Sequence, residues 1–247
     1  MAESCCACCW IPGRGGMVID ARSAKGLDLE TIVASRLGGF GETGAGASHV
    51  SLARTVSFGS LVFDECLVEV SDHSLTAGAD GVLGIDLFER FQIQLNPGAR
   101  WLELTPFEGP AAQSVDSIPA LGLRKLLLVH ARLGAQDGLF LVDTGAAFTS
   151  VAKRLAPAAV QQGQPIDLLG ARGSLADAVR VGPLELQVGR RSMMDSAPVA
   201  MDLGQISQAE GVEISGVLGY SVLGRSSMKI DLRNGSVEFV NSANRGR

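Results

Sequence analysis

The sequence predicts an all-β protein, mainly strand with short helices, built as two lobes by internal duplication. Three observations carry this. First, 31 glycines against 9 prolines interrupt short apolar runs, the pattern of many strands joined by turns. Second, hairpin signatures such as Asn96-Pro97-Gly98 and Asn234-Gly235 lie between alternating apolar segments. Third, three landmarks occur twice in the same order. Val18-Ile19-Asp20 matches Leu141-Val142-Asp143, Gly81-Val82-Leu83-Gly84 matches Gly216-Val217-Leu218-Gly219, and Ile93-Gln94-Leu95 matches Ile230-Asp231-Leu232, at offsets of 123, 135 and 137 residues. Offsets that grow slowly along the chain indicate a repeated lobe with loop insertions.

The elements follow in order. Gly16–Asp20 is a short apolar run ending in an acid. Leu29–Leu37 carries apolar residues at helical spacing and stops at Gly38-Gly39, which predicts a helix with a glycine stop. Gly38–Ala47 is a glycine-rich loop, and Val50–Val70 reads as strands around the turn Phe58-Gly59-Ser60. A polar loop, Ser71–Asp80, precedes Gly81–Gly84 and a short helix at Ile85–Arg90. Phe91–Leu95 and Arg100–Leu104 form a hairpin. Three prolines in Thr105–Pro119 mark a linker. The expected organisation is a first lobe over residues 1–107, a linker over 108–122 and a second lobe over 123–247. In the second lobe, Leu126–Val129 and Leu139–Val142 are strands, Val151–Leu155 is a short helix, Leu168–Val188 is strand-rich, and Met228–Leu232 with Val237–Val240 closes the chain as a hairpin.

Composition excludes several functions. A net charge of −5 with no long basic run argues against nucleic acid as partner. No apolar run reaches the length of a membrane span. Met1–Trp10 lacks the charged start and continuous apolar core of an export signal, so the default expectation is cytoplasmic, with export if a leader precedes this sequence. Cys5, Cys6, Cys8 and Cys9 are too close to chelate one ion well, and no second cluster supplies more ligands. Cys66 reads as a core residue. His49, His73 and His130 are scattered, with no serine or cysteine motif beside them. Gly13–Gly16 and Gly38–Gly46 lack the lysine of a phosphate loop, and Asp72, Asp80 and Asp86 lack calcium-loop spacing. Met193-Met194 reads as loop or core. No metal and no cofactor is expected.

The organising stretch is Leu139–Val151, an apolar strand that delivers Asp143-Thr144-Gly145 into a tight loop of small residues. With Gly216-Val217-Leu218-Gly219 some seventy residues on, it resembles the active-site loop of the pepsin-like and retropepsin-like aspartic peptidases, in their bacterial two-lobed form. The resemblance covers nearly the whole chain. It implies a two-lobed acid-protease-like β-barrel fold, a peptide or protein substrate held in a cleft between lobes, and a monomer. It also implies a catalytic pair, Asp143 and Asp20, with Thr144 and Gly145 supporting the loop. Two neighbouring carboxylates cannot both ionise easily, so they share a proton. One acts as general base on water while the other polarises the scissile carbonyl, and the pair titrates as a unit.

The first lobe departs from the pattern. Asp20-Ala21-Arg22-Ser23 stands where Asp-Thr-Gly-Ala is expected. Ala21 lacks the loop hydroxyl, and Arg22 replaces a small residue with a cation that favours ionised carboxylates. The only tyrosine, Tyr220, follows the second Gly-Val-Leu-Gly and supplies no counterpart to the family's flap aromatic. The resemblance therefore implies an aspartic-type endopeptidase or, alternatively, a catalytically impaired homologue that binds peptide or protein. A third reading, activity from the Asp143 residues of two chains, is awkward for a chain that already holds two lobes.

Overall fold

A computed structural model of the chain describes residues 8–11, 16–37, 46–72, 79–109, 114–123, 126–170 and 173–241. The cysteines at 5 and 6, most of the glycine loops at 13–16 and 38–47, and most of the polar loop at 71–80 lie outside the described residues. The chain divides into two compact units, 1–87 with 167–176, and 88–166 with 177–247.

The first unit contains β1 (Cys8–Ile11), β2 (Met17–Asp20), α1 (Ala21–Ala24), β3 (Leu29–Leu37), β4 (Gly46–Phe58), β5 (Leu61–Ser71) and β6 (Gly81–Gly84). They form one sheet in the order β1-β6-β2-β5-β4-β3. Its centre is buried because β2 and β6 are almost wholly apolar. Val18, Ile19, Val82 and Leu83 pack with Val68 and Val70 of β5.

Leu29–Leu37 is a strand, not the expected helix. Thr31, Ile32 and Val33 are β-branched and favour extended backbone. The register of β3 on β4 slips between Thr31 and Val33. That irregularity breaks the two-residue alternation, so Leu29, Ile32, Val33 and Leu37 imitate helical spacing.

The second unit begins at Phe88, the last residue of a 3₁₀ turn at Ile85–Phe88. It contains β7 (Phe91–Asn96), β8 (Trp101–Pro106), β9 (Ile118–Leu123), β10 (Leu126–Leu133), β11 (Gln136–Val142) and β12 (Ser150–Ala152). After α2 (Pro157–Gln162) come β13 (Gln164–Gly170) and β14 (Gly173–Arg180), whose shared tip, 167–176, groups with the first unit. The rest is β15 (Leu184–Val188), β16 (Arg191–Asp195), β17 (Val199–Met201), α3 (Gly204–Glu210), β18 (Ile214–Leu218), α4 (Tyr220–Leu223), β19 (Ser226–Asp231) and β20 (Ser236–Asn241).

Both expected hairpins, β7–β8 and β19–β20, are formed, and β7 pairs with β19. The sequence placed β7 and β8 in a first lobe ending at 107, whereas they group with the second unit because Ile93 and Leu95 are buried where β7 pairs with β19. Residues 118–122 of the expected linker are strand β9, paired with β10 and β20. The expected helix at Val151–Leu155 is the end of β12 followed by a single 3₁₀ turn, Lys153–Leu155.

The duplication is visible in strand pairing. In the second unit β11 runs parallel to β18, β18 antiparallel to β12, and β12 parallel to β17. In the first unit β1 runs parallel to β6, β6 antiparallel to β2, and β2 parallel to β5. With the Gly-Val-Leu-Gly strands β6 and β18 superposed in register, β1 corresponds to β11 and β2 to β12. Cys8 and Phe140 both face the first glycine of that motif from one side, and Ile19 and Val151 face it from the other. Both pairs are separated by 132 residues, so the two routes agree.

Candidate active-site loop

Strand β11 is buried through Phe140, Leu141 and Val142, where it ends, and Asp143 follows directly. The Asp143 amide donates to the Leu218 carbonyl at 3.0 Å, which fastens the loop base to β18. The loop then closes on its own acid. The Gly145 amide donates to Asp143 Oδ1 at 2.9 Å and the Ala146 amide to the Asp143 carbonyl at 3.3 Å. This is an Asx-type turn, which Asp suits because its short side chain reaches the amide two residues on. Asp143 and Thr144 are half-buried and Gly145 is exposed.

The far side of the loop is fixed to the start of α4. Tyr220 and Ser221 amides donate to the carbonyls of Ala146 and Ala147 at 2.7 and 3.2 Å. The backbones approach so closely that a Cβ on Gly219 would lie 2.2 Å from the Phe148 carbonyl oxygen. Glycine is therefore required there for space.

Beneath the loop lies a chain of polar groups, Thr149 and Asp195 buried and Ser221 half-buried, that sequence reading did not single out. The Gly219 amide donates to Thr149 Oγ1 at 3.2 Å, and Thr149 Oγ1 lies 3.2 Å from Ser221 Oγ. Ser221 Oγ accepts the Thr149 amide at 2.9 Å and donates to Asp195 Oδ2 in a short contact. Asp195 is 1% exposed, and its Oδ1 accepts the Ala197 amide at 3.0 Å. Ser221 Oγ is the donor to Asp195 Oδ2, so the Ser221 proton points to Asp195. The Thr149 hydroxyl is then the donor in its contact with Ser221. The donors run one way, from Gly219 through Thr149 and Ser221 to a buried charge, and each polarises the next. The sequence signals were a serine directly after Gly219-Tyr220 and an acid ending an alternating strand.

Asp20 has a different setting. It ends β2, is 8% exposed, and caps α1 by accepting the Ser23 amide on Oδ1 at 2.7 Å. Its own amide donates to the Asp80 carbonyl at 3.0 Å, and Ser23 Oγ donates to Asp80 Oδ1 at 2.6 Å. Arg22 is exposed on α1. Repeat matching by Val-Ile-Asp aligned Asp20 with Asp143, but the pairing within each unit makes β2 the counterpart of β12, so Asp20 corresponds to Ala152. The residue at the Asp143 position, 132 earlier, is Ile11, the last residue of β1. Pro12 and Gly13 follow it in sequence where Thr144 and Gly145 follow Asp143. The misleading match arises because β2 and β11, which are not corresponding strands, each run as an apolar triplet into an Asp.

Burial raises the Cys66 thiol pKa, and the neighbouring Asp64 charge adds to the rise. Cys66 is half-buried rather than core, and it is a poor nucleophile. Among the described residues no group of three or more His, Cys, Asp or Glu could hold a metal ion, and no helix is long and apolar enough to cross a membrane.

No family model matches the chain, and no curated protein matches it in sequence. Among solved structures, the aspartic proteinase from Irpex lacteus is similar, with a TM-score of 0.54 and 14% sequence identity, over 95% of this chain and 89% of that one. At that identity the likeness is one of fold. The chain has a mainly β, acid-protease-like fold with two sheets and short helices.

Proposed function

We propose that the chain is an aspartic-peptidase-like protein with one competent active-site loop, and that it binds extended peptide at Asp143-Thr144-Gly145 without cleaving it. The supporting observation is the strand pairing by which Ile11, and not a carboxylate, holds in the first unit the position that Asp143 holds in the second. Aspartic hydrolysis needs one carboxylate to take a proton from water while a second, protonated, polarises the carbonyl. The position in the first unit that corresponds to Asp143 carries Ile11, whose side chain cannot share a proton. It retains the ability to accept peptide N–H groups, and Thr144 can donate a hydroxyl. The loop is held for this role by the Thr149–Ser221–Asp195 chain.

The endopeptidase reading needs Asp20 as the second acid. Its burial favours that reading, but its Oδ1 is engaged in capping α1 and it belongs to the β12-type strand. The two readings separate in one experiment. Wild type and Asp143→Asn are incubated with a denatured protein mixture from acidic to neutral pH, and bound and cleaved peptides are both identified by mass spectrometry. The expected result is peptide retention by wild type, weakened by Asp143→Asn, with no new chain ends. Cleavage by wild type that disappears in Asp143→Asn would establish the endopeptidase.

A further inference from the structure

A cation stands beside the candidate loop. Arg180 is the last residue of β14 and is exposed. Its guanidinium lies over the Phe148 ring, 5.2 Å from the centroid. Phe148 is half-buried and belongs to the same loop as Asp143. The Asp143 amide donates to the Leu218 carbonyl, and the Phe148 carbonyl oxygen lies 2.2 Å from where a Cβ on Gly219 would stand. Both ends of the loop therefore rest on Leu218-Gly219.

The backbone that carries Arg180 is fixed to the same place. Arg180 and Ser150 face Val199 of β17 from opposite sides, which sets the two residues about 10 Å apart across the sheet. Val199 is 0% exposed, and its amide donates to the Thr149 carbonyl at 3.0 Å. The Val181 amide donates to the Pro198 carbonyl at 3.1 Å. On the other side of β14 a Cβ on Gly163 would lie 2.7 Å from the Arg180 carbonyl oxygen. The guanidinium thus reaches over Phe148 from a packed strand end.

Among the described residues Arg180 forms no ion pair, in a chain of net charge −5. The Phe148 ring attracts the cation through its quadrupole. That attraction does not use up the N–H fork, which matches a carboxylate through two parallel hydrogen bonds. An extended peptide advances about 3.3 Å per residue. A peptide held by its main chain at Asp143-Thr144-Gly145 comes within reach of Phe148 a few residues further along.

We propose that Arg180, seated on Phe148, is a specificity-determining residue that binds a carboxylate carried by the peptide held at Asp143-Thr144-Gly145. The proposal rests on the peptide-binding reading of that loop and names its ligand class, acidic peptides. The carboxylate belongs to a Glu or Asp side chain or to the C-terminus of the peptide.

A peptide digest is passed over the immobilised full chain as wild type, Arg180→Gln, Arg180→Lys and Arg132→Gln, and retained peptides are identified by mass spectrometry. Arg132 controls for net charge. It is exposed and faces Asp137, six residues and about 20 Å along the strand from Asp143. Wild type and Arg132→Gln are expected to enrich peptides with an acid at one position. Arg180→Gln retains peptides without that enrichment, and Arg180→Lys, which keeps the charge but not the fork, falls between. The most enriched peptide is then synthesised with its acid or with glutamine there, each with a free or an amidated C-terminus, which separates the two sources of carboxylate. In fluorescence anisotropy, loss of the recognised carboxylate weakens binding to wild type about ten-fold. The difference shrinks between about 0.05 M and about 0.5 M salt and is absent in Arg180→Gln. Acid enrichment beside newly cut chain ends, lost in Arg180→Gln, would support the same role in an endopeptidase. Retention without acid enrichment, or enrichment that survives in Arg180→Gln, overturns the role of Arg180 and leaves the peptide-binding reading standing. No retention and no cleavage by wild type overturns both.

Discussion

Ser221→Ala is the sharpest perturbation of the loop support. The Ser221 hydroxyl donates to the buried Asp195 carboxylate and accepts the Thr149 amide. Loss of a hydrogen bond to a buried charge costs about 2 kcal/mol, and loss of the neutral one about 1 kcal/mol, giving about 3 kcal/mol in all. With a urea dependence of about 2 kcal/mol per molar, the unfolding midpoint of the second unit falls by about 1.5 M. Circular dichroism during urea titration reads this directly. Asp195→Ala combined with Ser221→Ala removes both the charge and its partner. The double change is expected to cost about 1–2 kcal/mol less than the sum of the single ones. A midpoint shift below about 0.3 M, or strictly additive costs, would refute the view that Ser221 links the loop to a buried charge.

Three further outcomes follow from the same geometry. Gly219→Ala drives a Cβ to 2.2 Å from the Phe148 carbonyl oxygen and is expected to destabilise the second unit by about 3 kcal/mol in thermal or urea unfolding. Gly59→Ala is the contrast: φ is +55° but the Cβ meets open space, so the cost is about 1 kcal/mol of backbone strain. The Cys66 thiol, with its pKa raised by burial and then by Asp64, holds less thiolate at a given pH than in the unfolded chain. Its iodoacetamide modification, read by mass spectrometry of the fragment carrying it, is expected to be slower in buffer than in urea. Because the folded thiol binds its proton more tightly, its contribution to stability is complete below the unfolded thiol range and falls as pH rises through the folded one.

Much of the fold was legible because turns and apolar runs report strands locally. The hairpins at Asn96-Pro97-Gly98 and Asn234-Gly235, and the strand ending at Asp143, needed no long-range information. Leu29–Leu37 was misread because an irregularity near Ile32 disguises a two-residue period as a helical one. The assignment of β7 and β8 depended on pairing with β19, more than 130 residues away, which no local pattern carries. The candidate loop at Asp143 was legible from its motif. Its support was not: Thr149, Ser221 and Asp195 come from three elements and meet only in space. The matching of Asp20 to Asp143 followed the most conspicuous repeated letters, Val-Ile-Asp and Leu-Val-Asp, whereas strand order follows which neighbour each strand pairs with.

The claim that the first unit carries Ile11, and not an acid, at the position corresponding to Asp143 is tested most directly by placing a carboxylate there. Wild type, Asp20→Asn and the double variant Ile11→Asp with Pro12→Thr are compared in a peptide-cleavage assay at acidic pH. The prediction is no turnover by wild type or Asp20→Asn, and turnover by the double variant that disappears when Asp143→Asn is added. Cleavage by wild type that is lost in Asp20→Asn would contradict it.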